Sequence, residues 1–422
     1  MIKRIGIIGL GKVGEATVNS LKKYSSLIKK RTSLKIEIRG VCDKRRKKSK
    51  IAKKYHLFFT TDPFKLINDS KIDIIVELIG GIEAAKQIIE AALKNKKDVV
   101  TANKALLAEF GDKIFSLAYR KKRSVGFEAS VCGAIPLIKS ISEGLVGCEI
   151  RSIFGILNGT TNYILSKMSK ERIDFSLALK EAKKKGFVEK NPSLDIEGID
   201  TLHKLCILSY LCFGFWPNLK KIYTEGISKI SLLDIIYAQE LNYSIKLLAI
   251  AKKEGRFLDL RVHPTLVSEE HPLSEVSGSY NAVFLDTLPA GKLLFYGKGA
   301  GGEPTSSAII SDIVNLSTFE KKSFREKERV FLKNINNVKL RYYIRFMAQD
   351  RPGVLSKISK ILASYNISIA SVTQKERKRG RIVPIVMLTH EAKEESIRKA
   401  IYKIDNLDVI KRPSFIIRIE DI

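Results

Sequence analysis

The chain has 422 residues, 45% of them hydrophobic and 28% charged, which is enough for roughly two to four domains and a substantial core. No uncharged apolar run reaches the length of about eighteen residues that a membrane helix needs, so no membrane association is expected. The 75 Lys and Arg against 45 Asp and Glu leave a net charge of +30. The lysines are spread along the whole chain with no interleaved aromatic-basic motif, which favours anionic small molecules over nucleic acid as partners.

The N-terminus, MIKRIGIIGLGKVG, has a basic start and a short apolar run but no small-residue cleavage site, so it reads as structure rather than a signal peptide. The five cysteines, Cys42, Cys132, Cys148, Cys206 and Cys212, have no metal-like spacing and fit reduced thiols in a cytoplasmic protein.

Arg4 to Ile8 form an apolar strand run that meets Gly9-Leu10-Gly11-Lys12-Val13-Gly14, with a helical stretch from Val13 to Lys23. A glycine motif alone is weak evidence. Strand, glycine turn and helix in that order predict a dinucleotide site, because the glycines allow a tight turn and close approach to a pyrophosphate. The helix N-terminus then offers unpaired N–H groups to the phosphates. After an insertion at 24–33, a strand from Leu34 to Cys42 ends at Asp43-Lys44-Arg45. Asp43 suits the ribose 2′-hydroxyl of NAD and Lys44 or Arg45 the 2′-phosphate of NADP, so cofactor preference stays open.

Alternation continues with strand Ile72 to Leu78, helix Ile82 to Lys94, strand Asp98 to Thr101, helix Lys113 to Lys122 and strand Ser124 to Glu128. That order predicts a parallel, Rossmann-like sheet with helices on both faces. Ligands bind such sheets beyond the strand C-terminal ends, where Gly80-Gly81 and Thr101-Ala102-Asn103-Lys104 fall.

Small residues from Glu128 to Ile135 bring backbone carbonyls together, with Glu128 as an anionic oxygen donor; hard cations take such shells. The alternative is a tight turn into a helix at Pro136. In Asn158 to Ile164, Thr160 or Thr161 is a candidate helix cap. Further on, KGFVEKNPSLDIEGIDTLHKL (185–205) carries Glu189, Asp200 and Lys204. Asp200 and Lys204 share one helix face if Gly198 opens the helix. Taken alone, this trio reads as a solvated salt bridge. His203 points off that face by helical spacing and reads as structural.

GLGKVG, TANK, EASVCGAIP, GILNGTTNYIL, GIDTLHK and YGKGAGGEPT occur in one order over nearly the whole chain, and together they resemble homoserine dehydrogenase. The resemblance implies interconversion of L-aspartate 4-semialdehyde and L-homoserine with NADP or NAD, on the branch leading to threonine and methionine. It implies Lys204 as proton donor, Lys104 between cofactor and substrate, Glu189 on the substrate amino group and Asp200 as its acidic partner. Gly186 and Thr161 complete the substrate set. The cofactor set is Gly9, Leu10, Gly11, Lys12, Val13, Gly14, Asp43, Lys44, Arg45, Thr101, Lys104 and Gly302. Glu128, Val131, Gly133 and Ile135 match a sodium (Na+) site made largely of main-chain carbonyls. Asn191 stands where the family often has Asp.

Leu258 to Val267, Gly278 to Thr287 and Leu293 to Tyr296 read as strands of a middle α+β domain, and Pro304 to Leu316 as a helix packing back on the first domain. Family analogy adds a homodimer interface there. After the charged stretch 319–337, strands and helices follow as βαββαβ from Arg341 to Ile417, the ferredoxin-like order. With Asp350-Arg351-Pro352-Gly353 at its first turn, this module resembles an ACT domain, and allosteric threonine is the expected effector. The expected organisation is a Rossmann NAD(P)-binding domain (1–130), a catalytic and dimerisation domain (131–318), a linker (319–337) and an ACT domain (338–422).

Two other readings fit less well. A 2-hydroxy-acid dehydrogenase would carry its glycine motif mid-chain and use a catalytic histidine. A nucleic-acid-binding amino-acid sensor would leave the charged trio unexplained.

Overall fold

A computed structural model describes residues 1–188, 192–318, 330–375 and 381–422. The first sheet is parallel and six-stranded: β1 (Ile2–Ile8), β2 (Lys35–Cys42), β3 (Phe58–Thr60), β4 (Ile74–Glu77), β5 (Asp98–Thr101) and β6 (Val125–Gly126), in the order β3-β2-β1-β4-β5-β6. The order reverses beside β1, so a crevice opens where β1 and β4 both end. β4, β5 and the Ile5–Ile8 half of β1 are buried on both faces, as helices covering both sides require.

Helices α1 (Lys12–Lys23), α2 (Ser25–Thr32), α3 (Glu83–Lys94) and α4 (Lys104–Arg120) belong to this half. The insertion at 24–33 is thus helical, although α2 buries no residue. α4 begins nine residues before the expected Lys113. Asn103 caps it by accepting from the Leu106 N–H at 3.1 Å, a signal hidden inside TANK.

The middle of the chain contributes β7 (Glu149–Ile156), α5 (Gly159–Glu171), α6 (Phe175–Lys184), α7 (Ile199–Phe213), β8 (Tyr223–Thr224), α8 (Leu232–Glu240), β9 (Tyr243–Glu254), β10 (Phe257–Ser268), β11 (Tyr280–Leu288), β12 (Gly291–Lys298) and α9 (Gly302–Thr318). β9, which periodicity did not reveal, pairs along its whole length with β10 and is buried on both faces over 245–251. As expected, α9 returns to the first half and packs on α1. A Cβ at Gly302 would touch both Ala16 and the Lys12 carbonyl at 3.3 Å.

The C-terminal module has β13 (Lys339–Gln349), α10 (Val354–Ser364), β14 (Ile369–Thr373), β15 (Ile382–Thr389), α11 (Glu394–Asp405) and β16 (Ile410–Ile419), with its own apolar core. It is fused to the middle through hydrogen bonds. β16 pairs in parallel with β10 (Thr265 with Arg418, Leu266 with Ile419), giving one sheet in the order β12-β11-β7-β9-β10-β16-β13-β15-β14. In the 319–337 stretch, the described Phe331 and Leu332 also pair with β10, at Phe257 and Leu258.

Buried ions line this seam. Arg418, 3% exposed, donates to both carboxylate oxygens of Glu394, to Glu225 at 2.9 Å and to the Tyr223 hydroxyl at 2.9 Å. Arg261 meets Asp259 at 2.9 Å and Glu420 at 2.8 Å, Lys252 also meets Glu420, and Arg345 meets Asp234 at 2.7 Å. Among the described residues, no helix is long and apolar enough to cross a membrane.

Candidate active site

The glycines at the end of β1 have separate jobs. Gly9 has φ +103, and a Cβ there would lie 2.5 Å from the Leu78 carbonyl. A Cβ on Gly14 would strike the Gly9 carbonyl at 1.9 Å, so only glycine lets α1 sit this close to the turn. Gly11 faces open space, with nothing within 4 Å of where its Cβ would be. It is also the N-cap of α1 and offers no side-chain cap, which leaves the first N–H groups for an anion. Nothing in this turn obstructs a pyrophosphate, so the residues present fit a dinucleotide.

Asp43 is buried at the end of β2. One of its oxygens accepts the Leu10 N–H at 2.8 Å and Arg45 Nη2 at 2.8 Å; the other accepts Arg45 N and Nε at 2.9 Å each. The Arg45 side-chain bonds hold its carboxyl well below the usual range, against the opposing effect of burial. Lys44 and Lys12 are exposed.

Behind the turn, buried Glu77 accepts from the Thr101 hydroxyl at 2.7 Å and from the Ile79 N–H at 2.8 Å. It thereby pins the ends of β4 and β5 and shapes the Gly80-Gly81 turn. Thr101 is fully buried with its hydroxyl engaged, so it supports the cleft from behind.

The catalytic half grows from α7. Gly198 opens it with φ +82, and a Cβ there would crowd Val262 and Thr224 at 3.2 and 3.3 Å. The helix is buried almost all round, so Asp200 and Lys204 project into the interior, not onto a solvated face. Lys204 Nζ donates to Asp200 Oδ2 at 2.7 Å and to the Leu157 carbonyl at 2.6 Å. Lys104 Nζ, from the first turn of α4, lies 3.0 Å from Asp200 Oδ1. Asp200 therefore bridges two lysines from opposite sides of the cleft. Burial opposes its ionisation, but Lys204 and Lys104 outweigh that and hold its carboxyl well below the usual range.

Asn158 caps α5 by accepting from the Thr161 N–H at 2.8 Å. Asn158 therefore takes the role expected of Thr160 or Thr161. Its amide donates to Asp200 at 2.8 Å and to Asp195 at 2.7 Å. Thr161 is buried, with its hydroxyl on the Asn158 carbonyl, and Thr160 donates to the Phe187 carbonyl. Gly186 lies exposed in a left-handed turn after α6. Asn281 donates to the Leu157 carbonyl at 2.8 Å, sharing that acceptor with Lys204.

A cavity of about 520 Å³ joins the halves, lined by Val13, Gly80, Gly81, Lys104, Asp195 and Asp200, among others. His203, expected to point off the Asp200–Lys204 face and to be structural, lines it too. Burial lowers its pKa, so it is neutral at pH 7. Asp195, Asn158 and Glu77 were missed by sequence reasoning. The LDIEGID spacing offered a weak hint for Asp195, and nothing local marked the other two. Glu189 and Asn191 lie outside the described residues.

Glu128 forms a short 3₁₀ turn instead of ending a strand. Its two carboxylate oxygens each accept one N–H at 2.9 Å, from Ile138 and Lys139. Ile135 gives its carbonyl to the Leu137 N–H, and Gly133 has φ +52. No cluster of three or more His, Cys, Asp or Glu suited to a metal occurs among the described residues.

The chain is similar to known proteins along nearly its whole length. The chain matches the model described as homoserine dehydrogenase over residues 136–314 and the one described as homoserine dehydrogenase, NAD binding domain, over 9–128. It is 40% identical over 429 residues to a homoserine dehydrogenase of Neisseria gonorrhoeae (99% of this chain, 98% of that one) and 42% identical over 422 residues to that of Helicobacter pylori (99% of each).

The chain belongs to the homoserine dehydrogenase family.

Membership makes it an NAD(P)-dependent oxidoreductase. A crystal structure of a homoserine dehydrogenase from Thiobacillus denitrificans superposes with a TM-score of 0.95 at 40% identity, covering 100% of this chain and 99% of that one. Residues 342–406 match the ACT domain, so the chain carries the module expected at its C-terminus.

Proposed function

We propose that the enzyme interconverts L-aspartate 4-semialdehyde and L-homoserine in the supply of threonine and methionine, with Lys204 delivering the proton. The observation that carries this reading is Asp200 held between Lys204 and Lys104 at a cavity that the nucleotide-turn residues also line. A bound nicotinamide cofactor supplies or accepts the hydride. As negative charge develops on the aldehyde oxygen, a positioned ammonium stabilises it and gives up a proton. Lys204 has two acceptors among the described residues, Asp200 and the Leu157 carbonyl, which leaves one N–H for that oxygen. Lys104 faces the same space and suits the substrate carboxylate. Asp200 and Asp195, with Glu189 from the sequence, suit its ammonium group; Gly186 and Thr161 frame that side.

For the cofactor, Gly9 to Gly14 and Gly302 hold the pyrophosphate side. Arg45 supports a preference for NADP. Both Asp43 oxygens are occupied, whereas the Arg45 side chain is 46% exposed and available to a 2′-phosphate. A sodium ion suits the all-oxygen set of Glu128 with the Val131, Gly133 and Ile135 carbonyls, beside a second buried carboxylate, Asp312. The division at about residues 130, 318 and 337, threonine acting through the ACT domain, and a cytoplasmic homodimer complete the reading.

The direct test is oxidation of L-homoserine by the pure protein with NADP and NAD separately, with and without sodium. Turnover with a lower KM for NADP is expected, and silence in all four conditions would overturn the reading. For regulation, threonine should inhibit the intact enzyme and act more weakly on Asp350→Ala; superimposable curves would remove the ACT assignment of the effector.

A further inference from the structure

A second cavity, of about 420 Å³, lies on the far part of α5, where that helix meets α8, the start of β9 and the turn at 274–278. None of the catalytic residues lines it. Its floor is Lys246, a β9 side chain only 5% exposed. Lys246 Nζ donates to the Val276 carbonyl at 2.7 Å, its single hydrogen-bond acceptor among the described residues. Two N–H bonds of a buried ammonium thus have no acceptor among the described residues, a costly arrangement in a protein interior. Burial pushes the Lys246 pKa down to about 8, with Glu275 as the one carboxylate acting on it.

The other cations cannot take over this role. Lys167, also on the wall, is already paired with Glu171 and Glu181, and Lys170 is exposed at the rim. The Tyr163 hydroxyl, from the wall of the same cavity, is a buried polar atom with no hydrogen-bond partner among the described residues. Leu165, Ile235 and Ile245 supply an apolar side. One cation with two spare donors matches the two oxygens of a carboxylate. A doubly charged phosphate would need more than one free cation and would meet Glu275 at the rim.

We propose that this cavity is a second ligand site that takes a small aliphatic carboxylate, with Lys246 gripping the carboxylate and Leu165, Ile235 and Ile245 enclosing its chain. The site goes beyond the dehydrogenase reading and does not depend on it. It also lies on the same helix whose N-terminal cap, Asn158, holds Asp200 and Asp195.

The test is calorimetric titration of the full-length protein, with NADP+ present to occupy the nucleotide cleft, using propionate and inorganic phosphate as probes. Propionate should bind saturably to the wild type. Lys246→Met should weaken binding by about tenfold or more, and Ser277→Trp, which fills the cavity from an exposed position while leaving Lys246 intact, should do the same. Lys170→Met should change it by no more than about twofold. The proposal is overturned if propionate does not saturate, if both the Lys246→Met and Ser277→Trp proteins bind it like wild type, or if phosphate binds as tightly as propionate.

Discussion

Two clusters of buried charge, the catalytic cleft and the seam between the middle and ACT parts, follow opposite rules. At the seam, Arg418, Arg261, Lys252 and Arg345 are matched by Glu394, Glu225, Asp259, Glu420 and Asp234. In the cleft, Asp200 is shared by two lysines, and Lys104, Asp200 and Asp195 border an open cavity. Matched ions sealed between strands fix how two pieces of sheet meet. Ions that border an open cavity keep a side on which a ligand can be bound. The presence of buried charge therefore says little about function; its access to space says more.

The largest effect should come from breaking the seam. Arg418→Met leaves buried Glu394 with only the exposed Arg398 and half-buried Glu225 without its cation, and should lower stability by about 3 kcal/mol in urea unfolding, with kcat of the folded protein kept within about twofold. If kcat falls in proportion to stability, the two clusters are not separable.

Next, Asp200→Asn should cut kcat by about 10²-fold, because the neutral amide no longer orients both lysines. The same variant gives a pH test. Asp200 ionises well below the ordinary carboxylate value, so it contributes stability above about pH 4 that is lost as pH falls further. Wild type should lose stability more steeply than Asp200→Asn between about pH 5 and pH 3, and parallel unfolding curves would contradict the ion bridge.

Asn281→Ala, which frees the Leu157 carbonyl to move away from Lys204, should lower kcat by about tenfold with homoserine KM little changed. A rise in KM alone would mean Asn281 shapes the pocket without aiming Lys204. The smallest effect belongs to His203→Gln. His203 lines the cavity but is neutral above its lowered pKa, so the rate profile above pH 7 should match wild type within about twofold.

Sequence legibility followed the range of the interactions. The glycine turn, the parallel alternation and the βαββαβ module were readable because each rests on local pattern: apolar periodicity, glycine spacing and strand–helix order. The start of α4 was not, since Asn103 looked like part of a loop until its side chain was seen on Leu106. The i,i+4 spacing puts Asp200 and Lys204 together; taken alone the pair reads as a surface salt bridge, the resemblance makes it part of a substrate pocket, and burial of α7 almost all round places it in the interior. Asn158 and Glu77 escaped notice because their partners are distant in sequence or lie within a turn whose shape is not encoded by any motif. The seam was invisible for the same reason: β10 and β16 are separated in sequence by β11, β12, α9 and the rest of the C-terminal module.

The central claim is that Lys204, fixed by Asp200 and the Leu157 carbonyl, delivers the proton. Steady-state turnover of Lys204→Ala, with substrate and cofactor saturating and folding checked by its unfolding midpoint, tests it most directly. The account predicts a loss of ~10²- to 10⁴-fold in kcat with cofactor affinity retained. A folded variant turning over within about threefold of wild type would contradict it.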